Sequence, residues 1–260
     1  MDLIAAFFLH TMKDDIPCFF PKREKNEPLL PETILFFLAP QEKKTVEQSG
    51  VLGNGRRHFL FHSNLWTVAA TETHHGFALA GPAVGAPMAV LTLEKLIALG
   101  GRKIIVHGWC GALDQGYDIG DVFLPSRGIS EEGVTPLYPA GDLPEADGPL
   151  RHDLAQYLAS GNIRFHSGAC WSTDAPYMET GKKVRAFAAL GAGAVDMEFS
   201  ALATVARFRG VSLAAAFTVS DLFTEKGRVT GYSMKKFKSK KEELFSALIN
   251  YCRQDSHGRH

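Results

Sequence analysis

The four cysteines, Cys18, Cys110, Cys170 and Cys252, are widely scattered and form no CxxC pair, which excludes a disulfide framework and a zinc knuckle as organising features. Neither sign of charge dominates. Lys+Arg and Asp+Glu are 28 each, so no long-range field favours nucleic acid or an anionic membrane, and neither is expected as a partner. The apolar run at residues 3–9 is too short to span a bilayer, and Asp2 stands where a signal peptide would begin with basic residues; a cytoplasmic protein is expected. The glycines of residues 50–55 (GVLGNG) do not make a GxGxxG, so no dinucleotide loop is expected there. Adjacent side chains point in different directions, so His74 and His75 do not share a metal. Neither a metal nor an organic cofactor is expected. What remains is 260 residues with 45% hydrophobic and 22% charged content, the profile of a soluble globular chain able to bury a large core.

Residues 1–31 are punctuated by Pro17, Pro21, Pro28 and Pro31 and read as an irregular arm ahead of one domain that fills the rest of residues 1–260. Strands are expected at 33–39 (TILFFLA), 65–71, 77–81, 103–107 (KIIVH), 120–125, 166–171 and 212–219, the last free of charge as a strand covered on both faces would be. Helices are expected at 41–49, from 88 to the Gly100-Gly101 stop, at 150–158, at 181–190, after Glu198, and at 244–251. Residues 108–113 read as a turn, residues 127–149 as a loop-rich excursion, and the basic run KKFKSKK as a solvated surface strip. Strand, Gly-rich turn, helix and strand in this order indicate βαβ units in an α/β domain.

The most informative stretch is residues 191–221. Asp196, Met197 and Glu198 precede a helical pattern (Phe199, Leu202, Ala203, Ala206), and Asp221, flanked by Ser220 and Leu222, follows the apolar run. The carboxyl edge of such a strand is where open α/β sheets bind ligands. For Glu198 alone the competing reading is a favourable interaction of an acid with a helix dipole. The second acid, Asp221, raises the functional one.

Val195-Asp196-Met197-Glu198 followed by Thr218-Val219-Ser220-Asp221 resembles the paired signature of the purine nucleoside and uridine phosphorylase superfamily, which also contains nucleosidases. Three further pieces agree in order and spacing. Gly85-Ala86-Pro87 resembles the family's Gly-Gly-Pro loop, Gly108-Trp109-Cys110-Gly111 with Ile119-Gly120-Asp121-Val122 its Gly-x-x-Gly turn and Gly-Asp-Val, and Ser172 to Tyr177 the segment that brings an aromatic residue to the base. The resemblance implies a three-layer α/β/α sandwich with a twisted mixed central sheet, a nucleoside substrate, and a homo-oligomer, dimer or hexamer. It implies Asp221 and Glu198 as catalytic, and Met197, Asp196, Ser220, Gly85, Gly108, Trp109, Tyr177 and Arg228 as substrate-binding. Trp109 reads equally as core or as a cap on the sugar pocket.

Breaking a ribosyl C–N bond builds positive charge on the sugar and negative charge on the base, so an acid must meet the base. Asp221 is the candidate, provided a desolvated strand end favours its proton. An ionised Glu198 would accept bonds from the ribose hydroxyls. Arg228 or Lys226, in the loop beyond, would tune the acid. The implied reaction is phosphorolysis to free base and ribose 1-phosphate, with inorganic phosphate as co-substrate; hydrolysis, or binding without turnover, are the alternatives. The family's phosphate-binding positions are altered here. Val106 and Trp109 hold two of them, and Ala39-Pro40-Gln41-Glu42-Lys43 replaces Gly-Asp-Pro-x-Arg. Lys43, Lys44, Arg56, Arg57 and Arg127 are the cations that would have to substitute, with backbone N–H groups of Gly85 and Gly108 adding little. Cys110, beside His107, reads as a small buried residue rather than a nucleophile.

Overall fold

The computed structural model describes residues 17–53, 56–139, 144–224 and 227–254. The apolar run at 3–9, Gly55 and Lys226 lie outside the described residues. Strand β1 (Thr33–Phe37) is buried at all five positions. Ile34 and Phe36 enter one apolar core while Leu35 and Phe37 enter another, so both faces are covered and the sequence shows an unbroken apolar run.

The chain continues through α1 (Glu42–Gln48), β2 (Arg57–Leu60), β3 (Ser63–Val68), β4 (Phe77–Gly81), α2 (Ala86–Ala98), β5 (Lys103–Ala112) and β6 (Val122–Ser130). Next come α3 (Gly148–Ser160), β7 (Phe165–Ser172), α4 (Gly181–Ala189), β8 (Ala192–Asp196) and α5 (Phe199–Arg209). The last described elements are β9 (Ser212–Thr224), β10 (Gly227–Thr230) and α6 (Lys235–Gln254). Helices α2 and α5 cover the sheet face that receives Ile104, Val106 and Phe217; α1, α3 and α6 cover the face that receives Ile105, Ala214 and Ala216. This is the expected α/β/α sandwich.

The strand order is β10-β9-β6-β7-β8-β5-β1-β4-β3-β2, with an added β9–β5 pairing. That pairing closes β5, β9, β6, β7 and β8 into a ring. The sheet is mixed as expected: β1 pairs in parallel with β4 and β5, and β5 with β9, while β8 meets β5 and β6 meets β9 antiparallel.

Three expectations fail for identifiable reasons. Residues 108–112 are strand, not turn, because β9 lends β5 a parallel ladder from Lys103↔Ser212 to Ala112↔Leu222. Strand β9 likewise continues past Val219, because β10 folds back on it and pairs Thr230 with Asp221; Asp221 is therefore inside a strand, not at its end. The KKFKSKK run is helical from its first residue. Phe237 and Lys241 are its buried positions, continued at helical spacing by Leu244 beyond it, and the intervening lysines mask that spacing in the sequence. Residues 17–31 are irregular, as expected, and fasten to the end of α2: Leu30 N–H bonds Leu99 O, and Lys95 Nζ lies 2.6 Å from Glu27 Oε2. No helix among the described residues is long and apolar enough to cross a membrane.

Candidate active site

A cavity of about 920 Å³ opens where the ends of β1, β5, β8 and β9 meet the segment leading into α6, the carboxyl-edge position favoured for ligands in α/β sheets. Asp221, Glu198, Met197, Asp196, Ser220, Trp109, Tyr177 and Arg228 all line it. Gly85 stands behind Glu198. Gly108 does not take part, a correction to the expectation: it lies within β5 opposite Phe217, and a side chain there would meet Leu38 and the Phe217 ring.

A backbone irregularity aims Asp221. Cys110 pairs with Val219 but Gly111 pairs with Asp221, so Ser220 is an extra residue on β9. Neighbours in a regular strand face opposite sides; a bulge breaks that alternation. Both Ser220 and Asp221 consequently reach the cavity. A Cβ on Gly111 would come 2.8 Å from Asp221 Oδ2, so only glycine leaves room for the carboxyl.

The surroundings of Asp221 are not the apolar strand end that was expected. Arg228 Nε donates to Asp221 Oδ2 at 2.6 Å, Ser220 Oγ to Oδ1 at 2.7 Å, and Tyr232 OH to Oδ1 at 3.3 Å. Strand β10 brings Arg228 there by folding back on β9. Arg228 also reaches Glu179, Nη1 to Oε2 at 3.5 Å. The Glu179 side chain is 5% exposed and its Oε2 has no hydrogen bond. Burial pushes its carboxyl up to about 7, helped by Asp221 and Glu131 and opposed by Arg228. Sequence reading missed it because it sits just beyond the recognisable 172–177 segment.

Glu198 occupies the N-cap of α5, and its Oε1 accepts from Gly85 N–H at 2.5 Å. The left-handed φ of +85° at Gly85 turns that N–H toward the carboxyl at the start of α2, an orientation glycine adopts without strain. This amide is thus committed to Glu198 and is not left over for phosphate. Asp196 holds the turn from below. Its Oδ1 accepts from Ser172 Oγ at 2.5 Å and Cys170 Sγ at 3.6 Å, its Oδ2 from the N–H groups of Phe199 at 2.7 Å and Glu198 at 3.1 Å. Asp196 lines the cavity but positions Glu198 more than it presents a free acceptor.

Burial raises both acids, and the charge of Asp196 raises Glu198 further, against the N–H bonds from Gly85 and Met197. This favours the protonated Glu198, where an ionised group was expected. The stability consequence has a definite sign. An acid whose folded pKa lies above the unfolded value of roughly 4.3 costs stability as pH rises through that window. Glu198→Gln is therefore expected to melt with the wild type at about pH 4, below the unfolded value, and above it at about pH 9, where ionisation is penalised. Thermal unfolding at both values checks this; an equal difference at both would contradict it.

Trp109 is both wall and anchor. Its Nε1 donates to Glu42 Oε1 at 3.2 Å, and its ring meets Phe237 edge-on at 5.1 Å and Tyr232 at 5.8 Å between centroids. Tyr177 sits fully exposed at the mouth. Burial and the nearby carboxylates Asp221 and Asp196 push the Cys110 thiol up, which suits a small buried residue and not a thiolate nucleophile. None of Lys43, Lys44, Arg56, Arg57 or Arg127 lines the cavity; Arg57 bonds Asn64 and Arg127 bonds Leu190 O. Among the described residues, the cations that do line it are Arg228, Lys238 and Lys241. The last two come from the run read as a surface strip.

The chain matches the phosphorylase superfamily over residues 36–252 and belongs to it. It is 26% identical over 148 residues to a uridine phosphorylase of Thermococcus kodakarensis, covering 56% of this chain and 53% of the relative. It is 27% identical over 137 residues to a guanosine phosphorylase of Halorubrum lacusprofundi, covering 52% and 57%. A DeoD-type purine nucleoside phosphorylase of Bacillus cereus is 28% identical over 160 residues, with 59% and 68% covered. The chain thus spans little more than half the length of the first two relatives. The crystal structure of a purine nucleoside phosphorylase from Toxoplasma gondii in complex with immucillin-H superposes with a TM-score of 0.75 at 18% identity, covering 86% of this chain and 91% of that one. At that identity it shows the fold.

Proposed function

We propose that this protein cleaves the N-glycosidic bond of a nucleoside, with Glu198 holding the ribose hydroxyls and Asp221 serving the departing base. The observation that carries this reading is that two buried carboxyls from separate elements, each fixed by its own hydrogen bonds, face one cavity at the sheet edge. Glycosidic cleavage needs that division of labour, one group at the developing oxocarbenium ion and one at the leaving group. Met197, Ser220, Trp109 and Tyr177 complete the walls, and Arg228 with Tyr232 holds the Asp221 carboxyl in place. No cofactor is invoked.

The phosphorylase names of the relatives support phosphate as acceptor. The cavity supports water, because among the described residues its arginine and one of its two lysines are already paired with carboxylates. On geometry we take water as the acceptor. The test is free base released from a panel of nucleosides, with and without phosphate. Base is expected from a ribonucleoside and far more slowly from its 2′,3′-dideoxy analogue, which offers Glu198 nothing to hold; no base from any nucleoside would refute the reading.

We also propose a closed homo-oligomer, supported by the exposed apolar side chains Val84, at the cavity, and Met88 and Leu91, on α2. Light scattering that gives the monomer mass at micromolar concentration would refute it.

A further inference from the structure

The wall of the cavity formed by Ala39, Pro40, Gln41, Trp109 and Lys241 hides a charge. Directly behind it lies Glu42, fully buried. Lys241 Nζ sits 3.3 Å from both of its carboxyl oxygens, Trp109 Nε1 donates to Oε1 at 3.2 Å, and His107 Nε2 lies 3.8 Å from Oε1. Burial raises this carboxyl, but His107, Lys241 and Trp109 together outweigh it and hold the group below its ordinary value, as a charged anion. The Lys241 side chain is 9% exposed, so its charge is neutralised inside the protein before any ligand arrives.

Among the described residues, two further sources of positive charge or N–H donors at the cavity are engaged in the same way. Arg228 is shared by Asp221 and Glu179, and the Gly85 N–H at the start of α2 is taken by Glu198. Lys238, exposed at the lip, is the lining cation with no carboxylate partner among the described residues. A phosphate dianion needs converging cations or donors to replace its hydration. Lys238 alone does not converge with a second free cation; to gain one, phosphate would have to break an existing ion pair and sit beside the carboxylate thus set free, an unfavourable exchange at partly buried distances.

We propose that Glu42 is the acceptor-selecting residue of this site: a built-in anion that satisfies Lys241 and keeps phosphate out, so that water takes the ribosyl group. This rests on the nucleoside-cleaving reading above. The reaction balances without a further reagent. The C1′–N bond breaks and its electron pair leaves with the base; the oxygen of water bonds to C1′, and a proton equivalent to the one water loses ends on the base.

The test is Glu42→Gln, which keeps the shape and an oxygen for Trp109 N–H while removing the charge. Inorganic phosphate is first titrated calorimetrically without nucleoside. The wild type is expected to show no saturable binding at millimolar phosphate, whereas Glu42→Gln is expected to saturate within that range. Glu42→Gln/Lys241→Met, in which neither charge remains, is expected to fold and not to bind. With nucleoside present, base release by the wild type should not change with phosphate, whereas Glu42→Gln should release base faster as phosphate rises and form ribose 1-phosphate. Saturable phosphate binding by the wild type overturns the proposal, whatever the variants do, and so does a phosphate response of Glu42→Gln no greater than the wild type's. Absence of base release by every form would instead strike the nucleoside reading, leaving the phosphate titrations to be judged separately.

Discussion

Asp221→Asn and Glu198→Gln are each expected to lower turnover by about a hundredfold or more, the scale of losing a group that meets charge only in the transition state. Both substitutions preserve shape. Asn at 221 still offers an oxygen to Arg228, and Gln at 198 still offers one to the Gly85 N–H, so one contact that fixes each side chain survives. What is lost is the ability to exchange a proton or to carry negative charge. The expected result is a fall in kcat with an unchanged far-ultraviolet circular dichroism spectrum. Undiminished kcat in either variant would remove that residue from the mechanism.

Asp196→Ala should produce the largest loss of stability. The buried carboxyl satisfies two backbone N–H groups, the Ser172 hydroxyl and the Cys170 thiol, and the Ser172 hydroxyl in turn accepts from Ser200 N–H. Each buried donor left without a partner costs about 1–3 kcal/mol. Relief from desolvating the Asp196 carboxyl offsets part of this, so about 2–5 kcal/mol is expected, or roughly 5–15 °C in Tm for a chain of this size. Glu198 loses its support at the same time, so activity should fall with stability. Asp196→Asn, which keeps an acceptor for Phe199 N–H, should be milder. An Asp196→Ala protein that melts with the wild type would show that the turn before α5 is held by something else.

Several of these features were legible in the residues alone. β1 and β9 announce themselves as uncharged apolar runs because both faces of the sheet are covered, and α2 by the helical spacing of Leu93, Leu96 and its neighbours before two glycines. Glu198 stood out because a second acid, Asp221, follows the apolar run after it. The features that shape the cavity were harder to read because they depend on partners distant in sequence. The bulge at Ser220 is a property of the β5–β9 register, invisible in either strand by itself. Arg228 reaches Asp221 through β10, whose four residues are all exposed and carry no apolar pattern. The Glu42–Lys241 pair joins α1 to α6, and nothing in the KKFKSKK run marks which lysine turns inward. Gly108 was misplaced for the opposite reason: a glycine-rich string resembled a turn while its neighbour β9 made it strand.

The central claim is that the cavity holds a nucleoside with its ribose at Glu198 and its base at Asp221. The most direct measurement is a crystal structure of the Asp221→Asn protein, slowed enough to retain intact ligand, soaked with the ribonucleoside that the wild type cleaves fastest. The expected result is the ribose O2′ and O3′ within hydrogen-bonding distance of the Glu198 carboxyl, with the base against residue 221 and Tyr177. A nucleoside bound outside this cavity, or lying in it with its base at Glu198 and its ribose at residue 221, would contradict the account.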